Sequence, residues 1–103
     1  MAVRHIVIWK LNNRTVPLAK CEDALAIRDA LLNLKGRIPG LLHLDVGFDY
    51  SEKESAGDVV LVTDFESREA LANYQHHPEH VNVGSVVRPR VCDRRMIDYE
   101  LSE

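Results

Sequence analysis

The stretch YQHHPEH, residues 74–80, gathers a tyrosine and three of the chain's five histidines into seven positions. Such a cluster suits metal ligation, proton transfer or the joining of two helices. Zinc takes three or four ligands converging at about 2.0–2.3 Å. His77 and His80 have i, i+3 spacing, but Pro78 lies between them and His76 points elsewhere on a helix. Neither cysteine falls at a partner spacing, so the ligand count is short and no metal site is expected. Proton transfer suits the pattern better. Pro78 fits the first turn of a helix, which places His80 in that same turn. The positive end of a helix disfavours imidazolium, so His80 should be neutral near pH 7 and able to accept a proton. Tyr74 supplies a phenol that can donate to a carbonyl or enolate oxygen. The plainer alternative is structural: His77 closes one helix, Pro78 opens the next, and Glu79 sets negative charge at its positive end.

The elements that must hold these side chains follow from hydrophobic spacing. Residues 3–11, VRHIVIWKL, are rich in β-branched and aromatic side chains, as strands are. One face carries Val3, His5, Val7, Trp9 and Leu11, the other Arg4, Ile6, Ile8 and Lys10. Both faces are apolar at their centres, which marks a strand covered on both sides. A loop over 12–17 precedes a helix over 18–36. Its apolar stripe is expected to include Leu18, Cys21, Leu25, Ala26 and Leu32, with Thr15 as N-cap and Gly36 as the stop. After Pro39-Gly40, residues 41–50 alternate. Leu42, Leu44, Val46 and Phe48 share one face; Leu41, His43, Asp45, Gly47 and Asp49 share the other. His43 there reads as a solvated or interface residue.

Residues 51–57 form a polar turn, and 58–65 a third strand that is apolar on both faces. Ser67 caps a short helix over 68–77. Pro78 opens another that runs to about Val87, Pro89 ends it, and residues 90–101 form the last strand. The order is β-α-β twice over, with the second helical region broken at Pro78. It predicts an α+β fold in one domain over residues 1–103: a ferredoxin-like sandwich, a four-stranded antiparallel sheet with helices on one face. The uncovered face is apolar too, more than a monomer usually exposes. A second copy packed sheet to sheet is therefore expected, giving a two-fold homodimer.

Composition narrows the function. The formal charge is −3 and the pI about 5.9. Asp93, Asp98 and Glu100 sit among Arg88, Arg90, Arg94 and Arg95, so no basic face forms and a nucleic-acid partner is not expected. Cys21 and Cys92 lack CxxC spacing and read as reduced, partly buried thiols. The apolar run near the start is too short for a membrane span and lacks a signal-peptide cleavage pattern. A cytoplasmic protein without a membrane partner is expected. Neither a phosphate-binding glycine loop nor a nucleophile arrangement nor a paired-carboxylate motif stands out, so no cofactor is expected.

Four segments in order, RHIVIWKL (4–11), IPG (38–40), DVVLVTDFESREALANYQHHPEH (58–80) and IDYE (97–100), carry a likeness that spans nearly the whole chain. Together they resemble the stress-responsive α/β-barrel (Dabb) domain family. The resemblance implies a dimeric α+β barrel, two ferredoxin-like protomers packed sheet to sheet. In one branch of that family, a cleft between sheet and helices is a cofactor-free cyclase site for polyketide substrates. A first-strand His, a Tyr and the last His of an H-P-x-H motif line it. His5, Tyr74 and His80 match those positions, and His77 matches the first His of the motif. These three are the candidate catalytic residues; Trp9, Phe48 and His77 are the candidate substrate contacts, with Trp9 and Phe48 read as core or pocket walls. Leu25, Leu32, Val60 and Val86 are expected to set the cleft volume. The same polar residues also fit a structural hydrogen-bond set joining helix to sheet. Three functions stay open: a binder of a small hydrophobic or aromatic molecule, a cofactor-free cyclase, isomerase, lyase or monooxygenase, and a structural or stress-related oligomer without ligand.

Overall fold

The computed structural model describes residues 1–102. Four strands, β1 (Val3–Leu11), β2 (Leu41–Phe48), β3 (Val59–Phe65) and β4 (Val91–Glu100), form one antiparallel sheet in the order β2-β3-β1-β4. Three helices, α1 (Glu22–Leu32), α2 (Arg68–His76) and α3 (Pro78–Val87), cover one face. This is the ferredoxin-like arrangement that the element order predicts. Among the described residues, no helix is long and apolar enough to cross a membrane.

Register explains why β1 organises the molecule. It lies between β3 and β4, so its residues from Val3 to Trp9 each have a neighbour on both sides. Val3, His5, Val7, Trp9 and Leu11 point under the helices and are buried. They meet Leu61 and Phe65 of β3 and Ala24, Ile27 and Leu31 of α1 in one core. Burying each such aliphatic or aromatic side chain stabilises the fold by roughly 1.5–3 kcal/mol. The alternate residues face the other way. Ile6 and Ile8 stand beside Val60 and Val62 of β3 and Ile97 of β4. Ile8 is 40% exposed and Ile97 56%, so a second apolar face lies open in the single chain.

Five details differ from the sequence reading. The buried stripe of α1 and its flanks is Leu18, Cys21, Ala24, Ile27, Leu31 and Leu34. Leu25, Ala26 and Leu32 are only partly buried. This helix is apolar nearly all round, so periodicity leaves the phase undetermined, and packing on the sheet fixes it. Thr15 is not the N-cap. A separate turn at Leu18–Lys20 intervenes, Cys21 takes the N-cap position without a side-chain bond, and Glu22 and Asp23 supply the favourable negative charge. The helix ends at Leu32, and Gly36, with φ of +78°, closes the turns beyond it.

In β2 a bulge lies between Leu41 and His43. An extra residue there reverses the alternation on its N-terminal side. Leu41 consequently packs against the core and Leu42 is 62% exposed, the opposite of the expected facing. Gly40 leads into this bulge with φ of +79°, and a Cβ there would stand 2.7 Å from that of Ala70. Finally, both cysteines are free; Cys21 is buried, but Cys92 is exposed because β4 is an edge strand.

Candidate functional site

A cavity of about 290 Å³ opens between the sheet and the helices. Its floor and walls include Val7 and Trp9 of β1, Leu61 of β3 and Val83 of α3. His5, Tyr74 and His80 turn into the same space.

His5 owes its position to strand register, which sets it opposite Asp98 of β4. Paired residues share a face, and the His5 Nδ1 lies 2.5 Å from a carboxylate oxygen of Asp98. The Thr63 hydroxyl donates to the His5 carbonyl at 3.1 Å, locking that backbone. The imidazole is nearly sealed, with its side chain 4% exposed. In the neutral ring, donation from Nδ1–H to Asp98 leaves the Nε2 lone pair on the opposite edge.

Tyr74 comes from the buried face of α2, a helix capped by the Ser67 side chain, which accepts from the Ala70 N–H at 3.1 Å. The ring packs on Phe65 at 5.1 Å and meets the His80 ring edge-on at 4.6 Å. Burial pushes the phenol up to about 12, and among the described residues no hydrogen bond to it is found. Tyr74 is therefore a protonated donor over the whole physiological range.

His80 lies in the first turn of α3, as Pro78 predicts. The helix joint is built by His77, whose Nδ1 accepts from the Glu79 N–H at 3.1 Å. Burial holds the His80 pKa below its ordinary value of 6.5. A backbone hydrogen bond at Gln75 opposes this shift, while the charges of His5, Arg94 and Arg88 add to it. Neutral imidazole, a proton acceptor, is the favoured form.

The structure thus brings His5, Trp9, Tyr74 and His80 to one cavity. Phe48 and His77 lie elsewhere. His77 lines a separate hollow with Ile38, Pro39 and Ala70, and Phe48 borders an open groove of about 500 Å³ with Pro17 and Tyr50. That groove is larger, but its Arg14 and Asp49 are already engaged. Arg14 reaches Asp58 at 2.9 Å, and Asp49 accepts from Ser51 and Glu52. The smaller cavity, where His5, Tyr74 and His80 face one largely apolar space, is the stronger candidate.

Leu25, Leu32, Val60 and Val86 do not line it; Leu31, Leu61, Val83 and Val87 do. On a strand, a one-residue offset is the difference between the two faces. Sequence reading expects Asp98 to pair with the first strand or a partner subunit, and it pairs with β1 beside His5; it does not place Arg88 or Arg94 at the cavity they line. Asp98 becomes visible once β1 and β4 are paired antiparallel, since that pairing sets it beside His5. Among the described residues, no three His, Cys, Asp or Glu side chains are grouped to hold a metal ion.

A neutral imidazole, a protonated phenol and a carboxylate-bound imidazole around an apolar space can take a proton from carbon and stabilise the resulting enolate. The family model of the stress responsive A/B barrel domain, Dabb, matches residues 3–101. The chain belongs to the Dabb family. Olivetolic acid cyclase of Cannabis sativa is 33% identical to it over 91 residues, 85% of each chain. A dimeric ferredoxin-like protein of unknown function from Bacteroides fragilis superposes with a TM-score of 0.83 at 26% identity, covering 97% of this Dabb chain and 96% of its own. Another from Thermobifida fusca gives the same TM-score and identity, covering 98% and 92%.

Proposed function

We propose that this Dabb chain forms a two-fold homodimer and binds a small hydrophobic or aromatic molecule in the cleft of each protomer. The cavity itself carries the reading: apolar walls with His5, Tyr74 and His80 facing one space and Arg88 and Arg94 beside them. Ligand sites have this composition, and about 290 Å³ is the small end of their range of roughly 300–1,000 Å³. Support for the dimer comes from the open face of Ile6, Ile8, Val62 and Ile97, and from the dimeric state of the two similar bacterial proteins. Trp9 is the chain's one tryptophan and lines the cleft, so its indole N–H signal reports occupancy. Titration with butyrophenone should move that signal saturably, and Val83→Phe, which fills the cavity, should weaken the response. A signal indifferent to butyrophenone rejects the reading.

A second reading, cofactor-free proton transfer, draws on the unbonded phenol of Tyr74 and the depressed pKa of His80. His80 would take a proton from the carbon next to a ligand carbonyl. The C–H electron pair moves to the carbonyl oxygen as an enolate, and the Tyr74 O–H donates to that oxygen. Return of the proton at another carbon gives isomerisation; attack of the enolate on a second carbonyl gives cyclisation. The relative at 33% identity bears the name of a cyclase. Exchange of the α-hydrogens of butyrophenone into heavy water, faster with protein than without, is the expected sign.

A further inference from the structure

The chain has nine arginines, and seven of them lie within 4.0 Å of a carboxylate oxygen. Among the described residues, Arg88 and Arg94 have no such partner. Both line the cavity of His5, Tyr74 and His80. This occurs in a chain where acidic residues outnumber lysines and arginines 16 to 13, so carboxylates are not scarce. The two guanidiniums come from different elements, one just beyond α3 and one from β4, and converge on the same opening. Both arginines are exposed, whereas His5 and Tyr74 are each 3% exposed. The arginines therefore frame the mouth, and the imidazole and phenol lie at the floor.

We propose that Arg88 and Arg94 form an anion-binding mouth, so that the cleft takes a small carboxylate whose apolar body lies inside. The proposal rests on the cleft reading above and names its ligand class. The planar fork of a guanidinium presents paired N–H donors that match the two oxygens of a carboxylate. Solvent and salt screen this contact because both arginines are exposed. The same geometry couples the mouth to the floor. Bound carboxylate offsets the positive charge that bears on His80, so the ligand should raise the proton affinity of that imidazole.

The test compares 4-phenylbutanoate with its neutral amide, 4-phenylbutanamide, on the intact protein, following the Trp9 indole signal. At low salt the acid should bind about tenfold tighter, as charge-assisted hydrogen bonds allow, and added salt should shrink the difference. Joint substitution of Arg88→Gln and Arg94→Gln should bring the acid down to the amide's affinity and leave the amide unchanged. The charge-matched pair Arg28→Gln and Arg68→Gln should keep the preference. Equal binding of acid and amide to the unaltered protein would remove the anion mouth while leaving the cleft. A preference that survives the Arg88 and Arg94 substitutions would overturn it as well. If neither probe moves the indole, the cleft reading falls and the mouth falls with it.

Discussion

His80 is kept as an acceptor by its surroundings: burial first, then three nearby groups that repel added charge. Its folded-state pKa lies below the 6.5 of an unperturbed imidazole, so between those two values the unfolded chain binds a proton that the folded chain refuses. The His80 contribution to stability is therefore whole above pH 6.5 and is lost as pH falls through the lowered folded value. Midpoints of urea unfolding measured from pH 7.5 to 5 should fall more steeply for the unaltered protein than for His80→Ala. An NMR titration should place the His80 midpoint under 6.5. If the imidazole is the base of the proposed proton transfer, His80→Ala should abolish α-hydrogen exchange while changing stability by no more than about 1–2 kcal/mol. A folded variant with undiminished exchange removes His80 from the chemistry. Tyr74 titrates only near 12, so the rate should be flat on its alkaline side through pH 10.

At the scale of elements, the joint between α2 and α3 depends on His77, which ends the first helix as its sequence suggests and also caps the second through its ring. His77→Ala should destabilise by about 0.5–2 kcal/mol, and His77→Asn, which can cap through its side-chain oxygen, should recover most of that. Equal losses for both would assign the His77 ring some other task. The joint was legible because Pro78 and Ser67 announce helix starts through local chemistry. The element order and the two-faced β1 were legible for the same kind of reason, since alternation in VRHIVIWKL is a property of one strand. Phase was not legible. Leu41 and Leu42 exchange places because of a bulge, and α1 turns Ile27 and Leu31 inward although Leu25 and Leu32 are equally apolar. Only packing between elements decides such cases. Pairing of Asp98 with the first strand was legible, but its contact with His5 was not, because the two are 93 positions apart and only the β1–β4 register brings them to 2.5 Å. Arg88 and Arg94 went unread because charge in sequence does not show which arginines find acids. Phe65, 0% exposed beneath α2, tests the packed face: Phe65→Ala should cost about 3–5 kcal/mol in urea unfolding.

On the scale of the whole molecule, the sheet has two apolar faces and one set of helices. The covered face makes the core and the cleft. On the open face, Ile6, Ile8, Val60, Val62 and Ile97 form a patch, with the Arg4–Asp64 ion pair at 2.7 Å and His43 on the same face. Continuous apolar surface of this kind marks a contact with another chain. The proposed two-fold pairing would cover it with the same patch from a second copy, with the charged groups at its margin fixing orientation more than affinity. Substituting Ile8→Glu would then bury two like charges near the axis, while the cleft on the other face stays intact. Sedimentation velocity at micromolar concentration tests the two-faced sheet most directly. The expected result is a single species of twice 11.7 kDa for the unaltered chain and a folded 11.7 kDa species for Ile8→Glu. A folded, soluble 11.7 kDa species from the unaltered chain would contradict it.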